Sequence, residues 1–258
     1  MAAACGAGFL WGTGALVVNL LIVRHGLSAE NISFWRFVVG GAALLLVFGR
    51  PALLRRWPAH APLLVMAGAC MALYVLCWFL AIARIGTALV VLQHGSASAE
   101  VALRPLLEGV ALSVASALLY AVFSVVSGGL SLALGAGPAT TGLTLVAAAT
   151  MGLAALYTPL VWPQDLPPEA WLLYLGLVTA AIALLAFSWG AARLSPTALT
   201  VATLVEPLTA VLLAAWLLGE AMTGLQWLGA AGMLAGIWGL GRHDARRMSE
   251  ASEASDAR

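Results

Sequence analysis

The sequence predicts an all-α polytopic membrane protein, and three observations carry that reading. Eight stretches are long and apolar enough to cross a bilayer, at roughly 4–23, 31–48, 61–83, 108–131, 140–162, 170–191, 197–218 and 224–241. Hydrophobic residues make up 62% of the chain and charged ones only 9%, too few to cover a soluble domain of 258 residues. The connections are too short to hold a separate water-soluble domain. A hydrocarbon core about 30 Å thick needs roughly 20 apolar residues in a helix, which these runs supply.

Taken in order, the first run has no charged segment ahead of it and carries Trp11, so it reads as a membrane span rather than a cleaved leader. Gly8 and Gly12 give it a small-residue face, and Asn19 is an amide that needs an interhelical partner. The second run carries Phe34-Trp35-Arg36-Phe37 near its start, and the third carries Tyr74 and Trp78, four apart and therefore on one face. Thr87 to Leu92 is too short to span, and the polar stretch 93–100 follows it. Val101 to Leu107 is interrupted by Arg104 and Pro105. The fourth run places Tyr120 and Ser124 one turn apart. The sixth carries Phe187 and Trp189, and the seventh carries Glu206-Pro207 at its middle. The eighth has Gly232 and Gly236, a second small-residue face, suited to packing in the bundle or to a homodimer. The tail 243–258 is rich in Ser, Glu and Arg and is expected to be disordered and cytoplasmic.

The charges orient the spans. All twelve basic residues are Arg. Arg50, Arg55 and Arg56 follow the second span, Arg193 lies between the sixth and seventh, and Arg242, Arg246 and Arg247 follow the last. The positive-inside rule places these segments, and with them both termini, in the cytoplasm of a cell membrane. A net charge of +1 provides no basic surface for nucleic acid. The histidines (His25, His60, His94, His243) fall outside the spans, a single acid lies at mid-membrane depth, and Cys5, Cys70 and Cys77 read as small core residues. No metal, no cofactor and no intramembrane catalytic constellation is expected.

The chain also repeats itself weakly. Ala83-Arg84-Ile85-Gly86-Thr87-Ala88-Leu89-Val90-Val91 matches Ala192-Arg193-Leu194-Ser195-Pro196-Thr197-Ala198-Leu199-Thr200-Val201 with one extra residue. The two copies fall on opposite sides of the membrane. Inverted repeats are the mark of secondary transporters that bind substrate near the midplane. The second half carries Leu194-Ser195-Pro196, Leu204-Val205-Glu206-Pro207-Leu208, Trp216-Leu217-Leu218-Gly219-Glu220 and Gly229-Ala230-Ala231-Gly232, and the first carries Leu10-Trp11-Gly12-Thr13. In these residues the chain resembles the EamA domain of the drug/metabolite transporter superfamily. The resemblance implies two inverted five-helix repeats, ten helices in all, that move small metabolites, amino acids among them. This chain has about eight. Residues 1–107 read as a first repeat lacking its last two helices, and 108–242 as a complete second repeat.

Glu206 is the leading functional candidate, because an ionised carboxylate is costly at that depth. It reads as a contact for a substrate amine, as a protonatable coupling group, or as a structural acid paired with a neighbour. Pro207 removes one backbone donor and frees the carbonyl of Thr203. Arg36 reads either as a side chain snorkelling to the interface or as a partner for a substrate carboxylate. The resemblance places Trp11, Tyr74, Trp78, Tyr120, Ser124 and Trp189 on cavity-lining helices; core packing is the alternative for each. Trp57, Trp162, Trp171 and Trp227 sit at span ends as interface anchors. The function expected is export of a small metabolite, such as an amino acid, by alternating access. A non-transporting remnant left by the missing helices and an intramembrane enzyme are the competing classes.

Overall fold

The computed structural model describes residues 1–51, 55–93, 99–218, 223–224, 226–239 and 242. Seven helices among them are long and apolar enough to span a membrane. They are α1 (Ala2–His25), α2 (Ala29–Phe48), α3 (Trp57–Gln93), α4 (Ala99–Leu134), α5 (Ala136–Gly152, extended by a 3-10 turn, Leu153–Leu156), α6 (Pro168–Ala191) and α7 (Pro196–Leu217). Residues 226–239 form a further helix, α8. The expected tail at 243–258 lies outside the described residues, as do Gly219 and Glu220.

Local chemistry sets the ends. Gly26 closes α1 in the left-handed conformation (φ 64°) and donates its N–H back to Ile22. Two residues later the Ser28 hydroxyl caps α2 by accepting from the Asn31 N–H at 3.2 Å. Gly135, at φ 87°, is the whole connection between α4 and α5, a backbone conformation few other residues hold without strain. That turn moves the fifth span earlier than the sequence reading: it runs from Ala136 to Leu156 rather than 140–162. Residues 157–167 are irregular because Pro159, Pro163 and Pro167 cannot supply helical N–H groups.

The region expected to hold a short apolar fragment and an interrupted remnant is helical instead. Residues 87–92 continue α3, and α4 runs straight through Arg104 and Pro105. Pro105 costs one backbone hydrogen bond near the helix start. Glu108 gathers the charges there, pairing with Arg84 at 3.2 Å and Arg104 at 3.1 Å. Only residues 94–98 separate α3 from α4, too few for two further spans, and the two helices pack along one another as a long hairpin.

Around that hairpin the bundle is built by close backbone approach. α1 lies on α7: a Cβ at Gly8 would stand 3.2 Å from the Thr203 carbonyl oxygen, and one at Gly12 only 2.6 Å from the Glu206 carbonyl oxygen. The Gly8–Gly12 face is therefore spent inside the bundle. The other small-residue face is not: among the described residues nothing lies within 4 Å of a Cβ built at Gly232 or Gly236 of α8, and both are exposed. Asn19 departs from its expected role as buried glue. It is exposed, in a groove that Leu16, Leu20, Val23 and Arg24 of α1 form with Leu217 at the end of α7. The core is a continuous cluster in which Phe37, Phe79, Phe123 and Phe187 are fully buried. On α4, exposed Leu103, Leu107, Val110, Val114, Leu118, Val122 and Val125 recur every three or four residues. They form one outward apolar stripe that suits contact with hydrocarbon.

Candidate functional site

Two of the spanning helices are irregular: the joint of α7 lines the cavity, and the irregular turn of α6 lies behind Trp11, which does. In α7 the helix stops at Thr203 and resumes at Val205, leaving Leu204 as the joint. Pro207 lacks the N–H that would have closed the turn onto Thr203, so the break falls where the sequence asks for it. Glu206 is consequently in the first turn of the second half-helix, where aligned peptide dipoles favour a negative charge. In α6, residues Leu175–Ile182 wind as a π-helix. The Trp11 indole N–H donates to the Thr179 carbonyl within that wide turn at 3.0 Å, which fixes the ring.

Between α1, α2, α3, α4 and α7 lies a cavity of about 300 Å³. It is lined by four of the expected aromatics, Trp11, Tyr74, Trp78 and Tyr120, together with Glu206, Pro207 and Arg36. The Tyr74 and Tyr120 rings meet edge-on at 5.4 Å. Behind them Phe123 and Phe187 stack at 5.5 Å, and Phe187 meets Trp11 at 5.3 Å. The lining rings are thus held by a second layer of rings rather than by loops. The Tyr120 hydroxyl donates to Thr203 Oγ1 at 3.4 Å, and the Ser116 hydroxyl to the Tyr74 carbonyl at 2.9 Å. These contacts tie α4 to α7 and to α3.

Arg36 does not snorkel to the interface. It is 4% exposed, on the cavity wall, with its guanidinium 5.7 Å from the Phe37 ring centre and 5.9 Å from that of Phe79. It sits about two turns inside α2, on the face turned to α3, where it lines the cavity. Its Nε is buried without a hydrogen-bond partner. Glu206 is half-buried on the same cavity. The ion pairs among the described residues both belong to Glu108, and neither involves Arg36 or Glu206.

Two expected residues lie elsewhere. Trp189 is 46% exposed and stacks under Arg193, whose guanidinium is 3.9 Å from the ring centre. Arg193 also donates to the Trp189 carbonyl at 3.0 Å. It serves the surface end of α6, because the one-turn spacing to Arg193 captures the ring there. Ser124 is buried one turn beyond Tyr120, outside the lining. Trp162 docks edge-on against Trp35 at 5.0 Å and donates to Glu169 at 3.1 Å, so it closes the α5–α6 connection onto α2. Sequence reasoning missed Ser113, Ser116 and Ala117 of α4 and Thr200 and Thr203 of α7, all on the wall. A signal was present: Ser113, Ser116 and Tyr120, and Thr200, Thr203 and Pro207, each repeat at three then four residues, a polar stripe down one helix face.

Exchanging Trp78 for Ala is expected to change which solutes are transported while the protein still folds, whereas Trp189→Ala leaves the solute profile as it was. Uptake of a panel of labelled amino acids into vesicles, with folded protein measured by size-exclusion chromatography, checks both.

Comparison with known proteins supplies the context for this cavity. The model of a family described as the EamA-like transporter family matches residues 107–242. An uncharacterized transporter of Bacillus subtilis (strain 168), YwfM, is 30% identical over 281 aligned positions that cover 90% of each chain. Those positions outnumber the 258 residues of this chain, so the alignment opens gaps in it. One crystal structure, 21% identical, superposes with a TM-score of 0.70 over 91% of this chain and 94% of its own, and shares the fold.

Proposed function

The chain belongs to the EamA-like transporter family and is a multi-pass membrane transporter; from that premise we propose that it exports small metabolites such as amino acids, by alternating access around the cavity between α1, α2, α3, α4 and α7. The observation that carries the reading is the cavity itself. Some 300 Å³ of space, walled by rings and met by one buried cation and one carboxylate, matches the lower range of small-molecule sites. A transporter must bind its cargo weakly enough to release it. A mostly apolar wall with few polar groups meets that need.

In this reading Trp11, Tyr74, Trp78 and Tyr120 contact substrate, Glu206 serves binding and coupling, and Pro207 holds open the break that presents Glu206. Ser113, Ser116, Thr200 and Thr203 supply hydroxyls for the polar part of the cargo. The protein sits in the cell membrane with both termini on the cytoplasmic side, and residues 1–107 and 108–242 act as two inverted repeats. The α3–α4 hairpin forms one wall. A single helix, α4, presents hydroxyls to the cavity and its leucine and valine stripe to lipid.

The test is counterflow. Purified protein in liposomes loaded with an unlabelled amino acid mixture is expected to accumulate a labelled amino acid transiently from outside. Protein-free liposomes and the variant Ala117→Trp, which fills the cavity from α4, are expected to show none. Equal accumulation with and without protein for every labelled solute would overturn the proposal.

A further inference from the structure

Arg36 and Glu206 are opposite charges on one cavity that do not pair with each other. Arg36 is almost fully buried, with an orphaned Nε and the rings of Phe37 and Phe79 beside its guanidinium. Glu206 lines the same cavity, from the start of the second half of α7. Both line the same cavity, yet no ion pair joins them. Holding an isolated cation at membrane depth is costly, and so is holding an isolated carboxylate. A cargo with only a negative end would leave Glu206 unmatched, and a cargo with only a positive end would leave Arg36 unmatched. A cargo bearing both would satisfy the two poles at once and add no net charge to the cavity.

We propose, resting on the transport reading above, that Arg36 and Glu206 are the specificity-determining poles of the cavity. They select a small zwitterion whose carboxylate meets the Arg36 guanidinium and whose ammonium meets Glu206. The planar guanidinium suits a carboxylate because two parallel N–H donors match its two oxygens. The carboxylate of Glu206 accepts the three N–H donors of an ammonium with no other charged partner competing. The body of the cargo then falls between Tyr74, Trp78 and Trp11, which favours an apolar or ring-bearing side chain over a second charge.

The proposal makes a crossed prediction that a merely structural role for either residue would not. The probes are L-phenylalanine, its methyl ester, which lacks the carboxylate, and 3-phenylpropanoate, which lacks the ammonium. Binding is measured by equilibrium dialysis to the full chain in nanodiscs. Wild type is expected to hold phenylalanine roughly 10-fold or more tighter than either single-ended probe, the usual worth of one charged hydrogen-bonded contact. Arg36→Gln should weaken phenylalanine and 3-phenylpropanoate by a similar factor and leave the ester unchanged. Glu206→Gln should weaken phenylalanine and the ester and leave 3-phenylpropanoate unchanged. Arg36→Lys and Glu206→Asp keep the charges and should restore part of the affinity, which separates lost recognition from lost folding. If both Gln variants weaken all three probes alike, or if the single-ended probes bind wild type as tightly as phenylalanine, the proposal is overturned. Crossed binding without counterflow would sink the transport reading and leave the zwitterion site standing. Counterflow of labelled phenylalanine without the crossed pattern would do the reverse.

Discussion

Glu206→Gln is expected to give a folded protein whose flux no longer responds to pH. In the wild type the carboxylate faces a cavity whose other titratable and charged members are Arg36 of α2, Tyr74 of α3 and Tyr120 of α4; α1 contributes only the indole of Trp11, and Thr200 and Thr203 of its own helix are neutral. Arginine stays charged throughout the accessible range, which leaves Glu206 as the group that gains a proton as the medium is acidified. The sign follows. Only the ionised carboxylate attracts an ammonium, so substrate binding and flux should fall as pH falls through the titration of Glu206. Glutamine is neutral at every pH, has the same shape, and keeps a hydrogen-bond acceptor. Its flux should therefore be lower than wild type at neutral pH, by about 10-fold for one lost charged contact, and flat across the series. Counterflow in liposomes buffered at several equal internal and external pH values measures this. A Gln variant that kept the wild-type slope would return Glu206 to a structural role.

The second large effect is expected at Gly12. A Cβ there would meet the Glu206 carbonyl oxygen and the Thr209 Cβ, both at 2.6 Å. One neighbour is backbone and cannot turn aside, so α1 must move off α7. Overpacking of this kind costs about 1–3 kcal/mol, and Gly12→Leu should lie at the upper end or beyond, because the displaced contact also carries Trp11. The variant is expected to lose several degrees of thermal stability in detergent and most of its counterflow. Gly6 is the control, since nothing lies within 4 Å of a Cβ built there, and Gly6→Ala should be neutral or slightly stabilising through helix propensity. Equal melting of the Gly12→Leu and wild-type proteins would show that α1 and α7 do not pack as described.

Hydropathy made the spans legible, and the Pro207 position located the interruption in α7. The cavity was legible as far as residue types at helical spacing could carry it. Tyr74, Trp78, Tyr120, Trp11, Glu206 and Arg36 converge because each lies on an inward face. Two things were hidden for physical reasons. Facing direction is not written in a residue's identity: Trp189 has the same chemistry as Trp78, yet it lies on an exposed face of α6 with the Arg193 guanidinium over its ring. Depth in a bundle depends on partners as well: Arg36 sits where a snorkelling arginine could sit, yet Phe37 and Phe79 hold it on the cavity wall. The π-turn in α6 left no mark, because Leu175–Ile182 contains neither proline nor charge. The continuity of α4 was masked by Arg104 and Pro105, which the sequence reading counted as an interruption and which the helix runs through.

The joint in α7 has a mechanical consequence. A helix cut at Leu204 could fold like a jackknife, but α1 lies across the cut as a splint, with Gly8 against Thr203 on one side and Gly12 against Glu206 and Thr209 on the other. Neither half of α7 can swing without carrying α1, and α1 carries the Trp11 indole that is hooked to the Thr179 carbonyl of α6. The acidic pole, the indole and the wide turn are therefore linked as one unit, and the α3–α4 hairpin meets it through the long Tyr120–Thr203 contact at the cavity and the Phe123–Phe187 stack behind it. If the cavity opens and closes between the two, ring must part from ring as well as hydroxyl from hydroxyl.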